Sequence, residues 1–107
     1  MEFQTLRGRA LFVRKLYAAW EKRRLGREWN GGEIAQGFVT DVGALMKLVQ
    51  AKEGIRSVED VDQKLAHELS DCLWCVFVLA DKYGVDLEKV FPESMDALEK
   101  RVLAEQQ

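Results

Sequence analysis

The stretch HELSDCLWCVFVLAD, residues 67–81, sets two carboxylates, Glu68 and Asp71, directly against a nine-residue apolar run from Cys72 to Ala80. Upstream, Val61, Leu65, Leu69 and Leu73 recur at four-residue steps, so the segment reads as one long helix, one-sided at first and then apolar almost all round. A helix of that kind needs cover on every side. Three further helices in a 107-residue chain barely supply it. The expected fold is therefore all-α, an antiparallel four-helix bundle that assembles as a homodimer or homotetramer with this helix near the interface.

The rest of the chain supplies those helices. From about Phe3 to Arg24, Leu6, Ala10, Val13, Tyr17 and Trp20 form one stripe, and LGREWNGG then interrupts it with three glycines. A second helix is expected from near Glu33 to about Glu53, its buried line running Ile34, Phe38, Val42, Leu45 and Val49, with Gly54 as its stop. SVED at 57–60 has the form of a capping box, with Asp60 for the usual Glu, and opens the third helix, which ends at Gly84. Asp86 is expected to cap a short turn, LEKVF, after which Pro92 restarts the chain and Met95, Leu98 and Val102 line a last helix. No strand-like alternation or repeat interrupts this reading, and the length fits a single domain over residues 1–107.

Hydrophobic residues make up 48% of the chain, enough for a cooperative core, and the net charge is −2. The charge is unevenly spread: residues 1–28 carry eight basic and three acidic side chains, net +5, which leaves −7 for the remainder. A basic first helix on an acidic body suits a phosphate-bearing ligand, an acidic partner or a solvated face. Its basic residues form no clean stripe and lack the aromatic interleaving of single-strand binders, which argues against nucleic acid as a partner. The first residues lack a secretory pattern and no apolar run nears the ~18 residues of a membrane span, so a cytoplasmic protein with no membrane partner is expected. Cys72 and Cys75, three apart in mid-helix, read as small hydrophobes rather than as half a zinc site or an activated redox pair.

An acid beside so much apolar surface requires compensation from a basic group, a backbone cap or a metal ion. Glu68 and Asp71 stand one helical turn apart, with Cβ atoms ~5–6 Å apart, and can share a divalent cation without filling its coordination sphere. A second helix must bring another acid, and Asp41, in FVTDVGAL, sits at the edge of that helix's apolar stripe. Like charges gathered at a helix seam repel unless a cation joins them. Asp41, Glu68 and Asp71 are thus the candidate ligands of Mg²⁺, with Mn²⁺ as its substitute. The bland alternative is a solvated helix edge.

The run HELSDCLWCVFVLADKYGVDLEKVF, with REWNGGEIAQGFVTDVGALMKLV upstream and ESMDALEKR downstream, resembles the MazG-like all-α nucleoside triphosphate pyrophosphohydrolases. The likeness covers about residues 27–101. The family's signature is an ExxE on one helix and an ExxD on the next, in a context such as EELxDxLWxxxxLAxxxGxDLExxF. The resemblance implies Mg²⁺-dependent hydrolysis of a nucleoside triphosphate, ribo- or deoxyribo-, to the monophosphate and pyrophosphate, a housecleaning activity. Carried over by position, Asp41 falls on the first acid of the ExxE, and Glu68 and Asp71 fall on the ExxD. These three would be both the metal ligands and the catalytic set, one carboxylate orienting or deprotonating the attacking water.

This sequence also departs from the family pattern. Ala44 falls on the second acid of the ExxE and can ligate nothing, Cys75 stands where an aromatic residue near the nucleotide is common, and Leu98 where an Asn is common. Three acids point to one ion rather than two, and they leave open a second reading, a catalytically impaired bundle that binds a nucleotide or metal without turnover. A third reading is a purely structural helical protein. Trp29 corresponds to the family's lead-in tryptophan and is the candidate for stacking on the base. Lys52, Lys82 and Arg101 are candidate substrate contacts, with Lys100, Arg24 and Arg27 beside them. Lys52 stands three turns from Asp41, ~16 Å by helical rise, and Lys82 is as far from Asp71, so each would reach only a ligand on a neighbouring subunit. His67 reads as an exposed helix residue.

Overall fold

The computed structural model describes residues 2–106, and among them the secondary structure is four α-helices with no strand. They are α1 (Phe3–Leu25), α2 (Gly31–Lys52), α3 (Val61–Lys82) and α4 (Leu87–Glu105). Helix α1 stops at Gly26, whose positive φ of 78° lets its N–H turn back to the Lys22 carbonyl at 2.9 Å. Lys22, Arg23 and Arg24 in that last turn complement the negative end of the helix dipole.

The helix starts differ from the sequence expectation at three places. Helix α2 begins at Gly31 rather than near Glu33, because the capping box lies in NGGE: the Asn30 side chain accepts the Glu33 N–H at 2.9 Å and the Glu33 carboxylate accepts the Asn30 N–H at 3.0 Å. The box expected at Ser57–Asp60 does not form. Asp60 itself adopts the left-handed conformation, φ 52°, makes no side-chain cap bond, and α3 starts only after it. Pro92 does not restart the chain either: α4 runs through it from Leu87, without the bond its missing N–H would have given to the Glu88 carbonyl. Asp86 precedes α4 with no side-chain cap bond.

Helices α2 and α3 form the main packed pair. Lys52 meets Asp62, Asp41 meets Cys75, and Gly31 sits against Tyr83, so numbers rise along α2 as they fall along α3. A Cβ at Gly31 would overlap the Tyr83 hydroxyl, which explains a glycine inside this helix. Helix α1 lies on α3 through Phe3 on Phe77 and Tyr17 on Trp74, while the Trp74 indole N–H donates to the Ala10 carbonyl at 2.9 Å. The buried apolar core is small: Ala10, Ile34, Leu48, Cys75, Phe77 and Val78.

The buried lines correct the expected stripes in a way that matters for the site. A strict four-residue step drifts about 40° per repeat around a 3.6-residue helix, so a seam must alternate fours and threes. On α2 the inward line is Ile34, Phe38, Asp41, Leu45 and Leu48, and Val42 and Val49 turn to solvent. On α3 it passes through Val61, Leu65, Glu68, Cys75 and Val78, while Leu69 and Leu73 are 52% and 51% exposed. Asp41 and Glu68 therefore stand within the seam, not at its edge.

No residue of α4 is buried, and its apolar stripe of Phe91, Met95, Leu98 and Val102 faces solvent. A side-chain hydrogen bond from Gln4 to Glu88, 2.8 Å, ties its first turn to α1. The chain exposes 8279 Å² at 12.3 kDa, against ~6,100 Å² for a folded monomer of that mass. Its radius of gyration, 17.1 Å, likewise exceeds the ~13 Å of a compact domain.

Candidate metal centre and its cavity

Glu68 and Asp71 project from one face of α3, and α2 presents Asp41 to them across the seam. One oxygen from each of the three lies within 4.8 Å of the others. Oxygens around an ion bound at about 2.1 Å stand about 3–4 Å apart, so small rotamer adjustments would gather this set on one cation. The surroundings are consistent with that chemistry. Glu68 Oε2 is buried and has no hydrogen-bond partner, an arrangement that is costly unless a cation or water completes it.

The other two acids have partners within the helices. His67 Nε2 lies 3.2 Å from Asp71 Oδ2, one turn away on α3. The Cys75 thiol donates to Asp41 Oδ2 at 3.5 Å. Burial first, and then that bond to Asp41, push the Cys75 thiol up to about 12. Cys72 is raised as well, by burial and then by the charges of Asp41, Glu68 and Asp71. Both cysteines are free and stay protonated at neutral pH. Cys75 thus combines the packing role read from the sequence with a polar one that was not.

Two cavities flank this seam. The first, about 730 Å³, is walled by Tyr17, Trp20, Trp29 and Trp74 and lined also by Asp41 and Asp71. Its size and aromatic walls suit an organic ligand, and its acidic groups, Asp41 and Asp71, would take an anionic end only through a bound cation. The second, about 680 Å³, is lined by Ala44, Lys47, Lys64, His67 and Glu68. Ala44, where the resemblance leads one to expect a fourth acid, is only half-buried and opens on the same space as Glu68.

An ion pair whose carboxylate is buried borders the aromatic cavity. Arg14 Nη1 and Nη2 reach the two oxygens of Glu21 at 2.8 and 3.1 Å, and the Trp29 N–H donates to Glu21 Oε1 at 2.7 Å. Burial by itself would raise the Glu21 carboxyl, but the Arg14 and Trp29 bonds and the Arg14 charge outweigh it and hold it below its ordinary value. Sequence reading missed this residue. The signal was there: Glu21 follows Arg14 by seven residues and Tyr17 by four, next to the apolar stripe expected along α1.

Of the other expected substrate contacts, Trp29 lines the cavity with Asp41 and Asp71. Lys52 does not: it pairs with Asp62 at 2.6 Å where α2 ends. Lys82 lies by Gly31 and Tyr83 at the far end of α3, and Arg101 is exposed on α4. None of these three lines either cavity. For Lys52 and Lys82 the reason is helical rise, which carries a residue three turns along ~16 Å away, and Arg101 belongs to α4, which lines neither cavity. Arg24 lies over the Trp20 ring at 5.3 Å, and Arg27 pairs with Glu33 at 2.6 Å. The Arg27 and Asn30 bonds hold the Glu33 carboxyl down to about 2.

The model of one protein family, described as MazG nucleotide pyrophosphohydrolase domain, matches residues 45–103, just over half of the chain. The span contains Glu68 and Asp71 but begins after Asp41 and Ala44. No curated protein and no solved structure gives a significant match.

Proposed function

Because this chain belongs to the MazG nucleotide pyrophosphohydrolase family, we propose that it is a divalent-metal-dependent nucleoside triphosphate pyrophosphohydrolase of the housecleaning type. Its substrate is a nucleoside or deoxynucleoside triphosphate and its products are the monophosphate and pyrophosphate. The observation that carries this reading is the buried, unpartnered Glu68 Oε2 within a set of three converging carboxylates. Asp41, Glu68 and Asp71 hold the ion, Mg²⁺ or Mn²⁺. Bound there, it supplies charge neutralisation for the triphosphate and polarisation of a water.

The chain's own groups do the rest. A carboxylate of the cluster takes the proton of the attacking water, and His67 steadies Asp71 from one turn away. The aromatic cavity takes the nucleoside, with Trp29 stacking on the base and Tyr17, Trp20 and Trp74 excluding bulk water. The working unit is a cytoplasmic homodimer or homotetramer that covers the exposed apolar surface of α2, α3 and α4. Only in such an assembly do Lys52, Lys82 and Arg101 come within reach of a bound phosphate, from a neighbouring copy.

Ala44 favours a second reading, a bundle that binds nucleotide and metal without turnover. A panel of nucleoside triphosphates with Mg²⁺ or Mn²⁺, scored for pyrophosphate as distinct from orthophosphate, decides between the two. Pyrophosphate release supports the enzyme. Metal-dependent nucleotide binding without pyrophosphate supports the binding module.

A further inference from the structure

We propose that Glu21 is a positioning residue of the aromatic cavity: a buried carboxylate that ties the connector between α1 and α2 back onto α1 and so sets Trp29 on the cavity wall. The proposal rests on the reading of that cavity as the nucleotide site. Glu21 stands apart from the three clustered acids and belongs to α1, which the family match does not reach.

The side chain of Glu21 is 4% exposed and that of Arg14 15%. A carboxylate so enclosed is a poor stabiliser in itself, because apolar residues of the same volume would hold the helices as well. What distinguishes it is its third bond. Besides the two from Arg14, Glu21 accepts the backbone N–H of Trp29, eight residues on and past the end of the helix. That bond fixes the main chain where the connector turns from α1 into α2. The ring rests on α2 at Gly37: a Cβ there would lie 3.6 Å from Trp29 Cζ3, ordinary contact distance, so the indole packs against the helix surface at this position. Gly37 is one turn before Asp41, on the same helix face. The chain of contacts runs from Arg14 through Glu21 and Trp29 to the wall beside the carboxylates, and Arg14, Glu21, Trp29, Gly37 and Asp41 all line the one cavity.

The test uses the full chain labelled with 5-fluorotryptophan. Its three tryptophans give three fluorine resonances, with that of Trp29 assigned by Trp29→Phe. Glu21→Ala is expected to shift or broaden the Trp29 resonance and leave that of Trp74 in place. Glu21→Gln keeps an oxygen for the Trp29 N–H and should hold the resonance nearer its original position. With a nucleoside triphosphate and Mg²⁺, Glu21→Ala should raise KM about tenfold while kcat stays within about twofold, and Glu21→Gln should recover part of the loss. Where Glu21→Ala does not fold, Arg14→Gln takes its place, since it too loosens the carboxylate. A Trp29 resonance unmoved in the folded variants overturns the proposal, and so does a moved resonance with an unchanged KM. Wild-type protein that releases no pyrophosphate defeats the assigned function, whereas the fluorine spectrum still decides whether Glu21 positions Trp29.

Discussion

Cys75 and Asp41 face each other across the α2–α3 seam, the thiol 3.5 Å from Asp41 Oδ2, and so a buried sulfur donor from one helix holds an acid of the other in place. The thiolate would sit beside a carboxylate in a poorly solvated seam, which is why the thiol rises to about 12. Alkylation at pH 8 should consequently be more than about a hundredfold slower at Cys75 than at an unhindered cysteine, with half-buried Cys72 modified first. Mass spectrometry after iodoacetamide treatment checks the order. Equal labelling of the two in folded protein would contradict it.

Three carboxylates within 4.8 Å repel when no cation joins them. Glu68→Gln or Asp71→Asn should therefore raise metal-free stability, by about 1 kcal/mol, and remove the stabilisation that Mg²⁺ or Mn²⁺ gives the unaltered chain. Thermal melts with EDTA and with added metal measure both effects. Variants that melt lower than wild type in EDTA would show that the acids are held by something other than a cation.

Ala44 opens on the cavity it shares with Glu68, so a longer acid there has space. Ala44→Glu should tighten metal binding and raise any pyrophosphohydrolase rate, since residues 41 and 44 lie one turn apart as Glu68 and Asp71 do. A second change, Asp71→Asn, should cancel the gain. Loss of melting temperature that Mg²⁺ cannot recover would count against this role for position 44.

Glu21 gives the fold a defined acid sensitivity. Its folded carboxyl lies below the ordinary value of 4.5, so its ionised form binds Arg14 and Trp29 in the native state only. That contribution is fully present above pH 4.5 and is lost as the pH falls through the folded value. Glu21→Gln should cost about 1–3 kcal/mol at pH 7, because it leaves the part-buried Arg14 without its charge partner. The difference should shrink below pH 4.5, and urea titrations at pH 7 and pH 3.5 read it. A gap that stays constant with pH would mean that the ion pair adds nothing.

Self-association is expected from the apolar surface that the single chain leaves uncovered. Leu98→Asp on α4 or Leu69→Asp on α3 should weaken an oligomer while leaving the helices intact, because both side chains face solvent in one chain. Phe77→Asp is the contrasting control: Phe77 is buried within the chain, and an unpaired acid there should cost several kcal/mol and unfold it. Light scattering coupled to size exclusion separates the two effects. A monomeric wild type would show that this surface has no self-partner.

The order and type of the helices were legible in the sequence because they depend on local chemistry. Apolar residues at three- and four-residue steps, and Gly26, Gly54 and Gly84 with positive φ, bound the first three helices within a few residues of where they lie, whereas the fourth starts at Leu87 rather than at Pro92. The convergence of Asp41 with Glu68 and Asp71 was legible too, since each acid abuts an apolar stripe that has to face another helix. Other features required the tertiary structure. Which residue of each turn faces inward depends on how two helices cross, and a one-residue rotation moved Val42 and Leu69 to solvent and brought Asp41 and Glu68 into the seam. Asp60 rather than Ser57 became the hinge into α3 because the chain must reverse there to lay α3 along α2. The Glu21 network joins a buried helix side chain to the backbone of a connector eight residues away, a bond that depends on how the connector folds back on α1 and that no local residue pattern specifies.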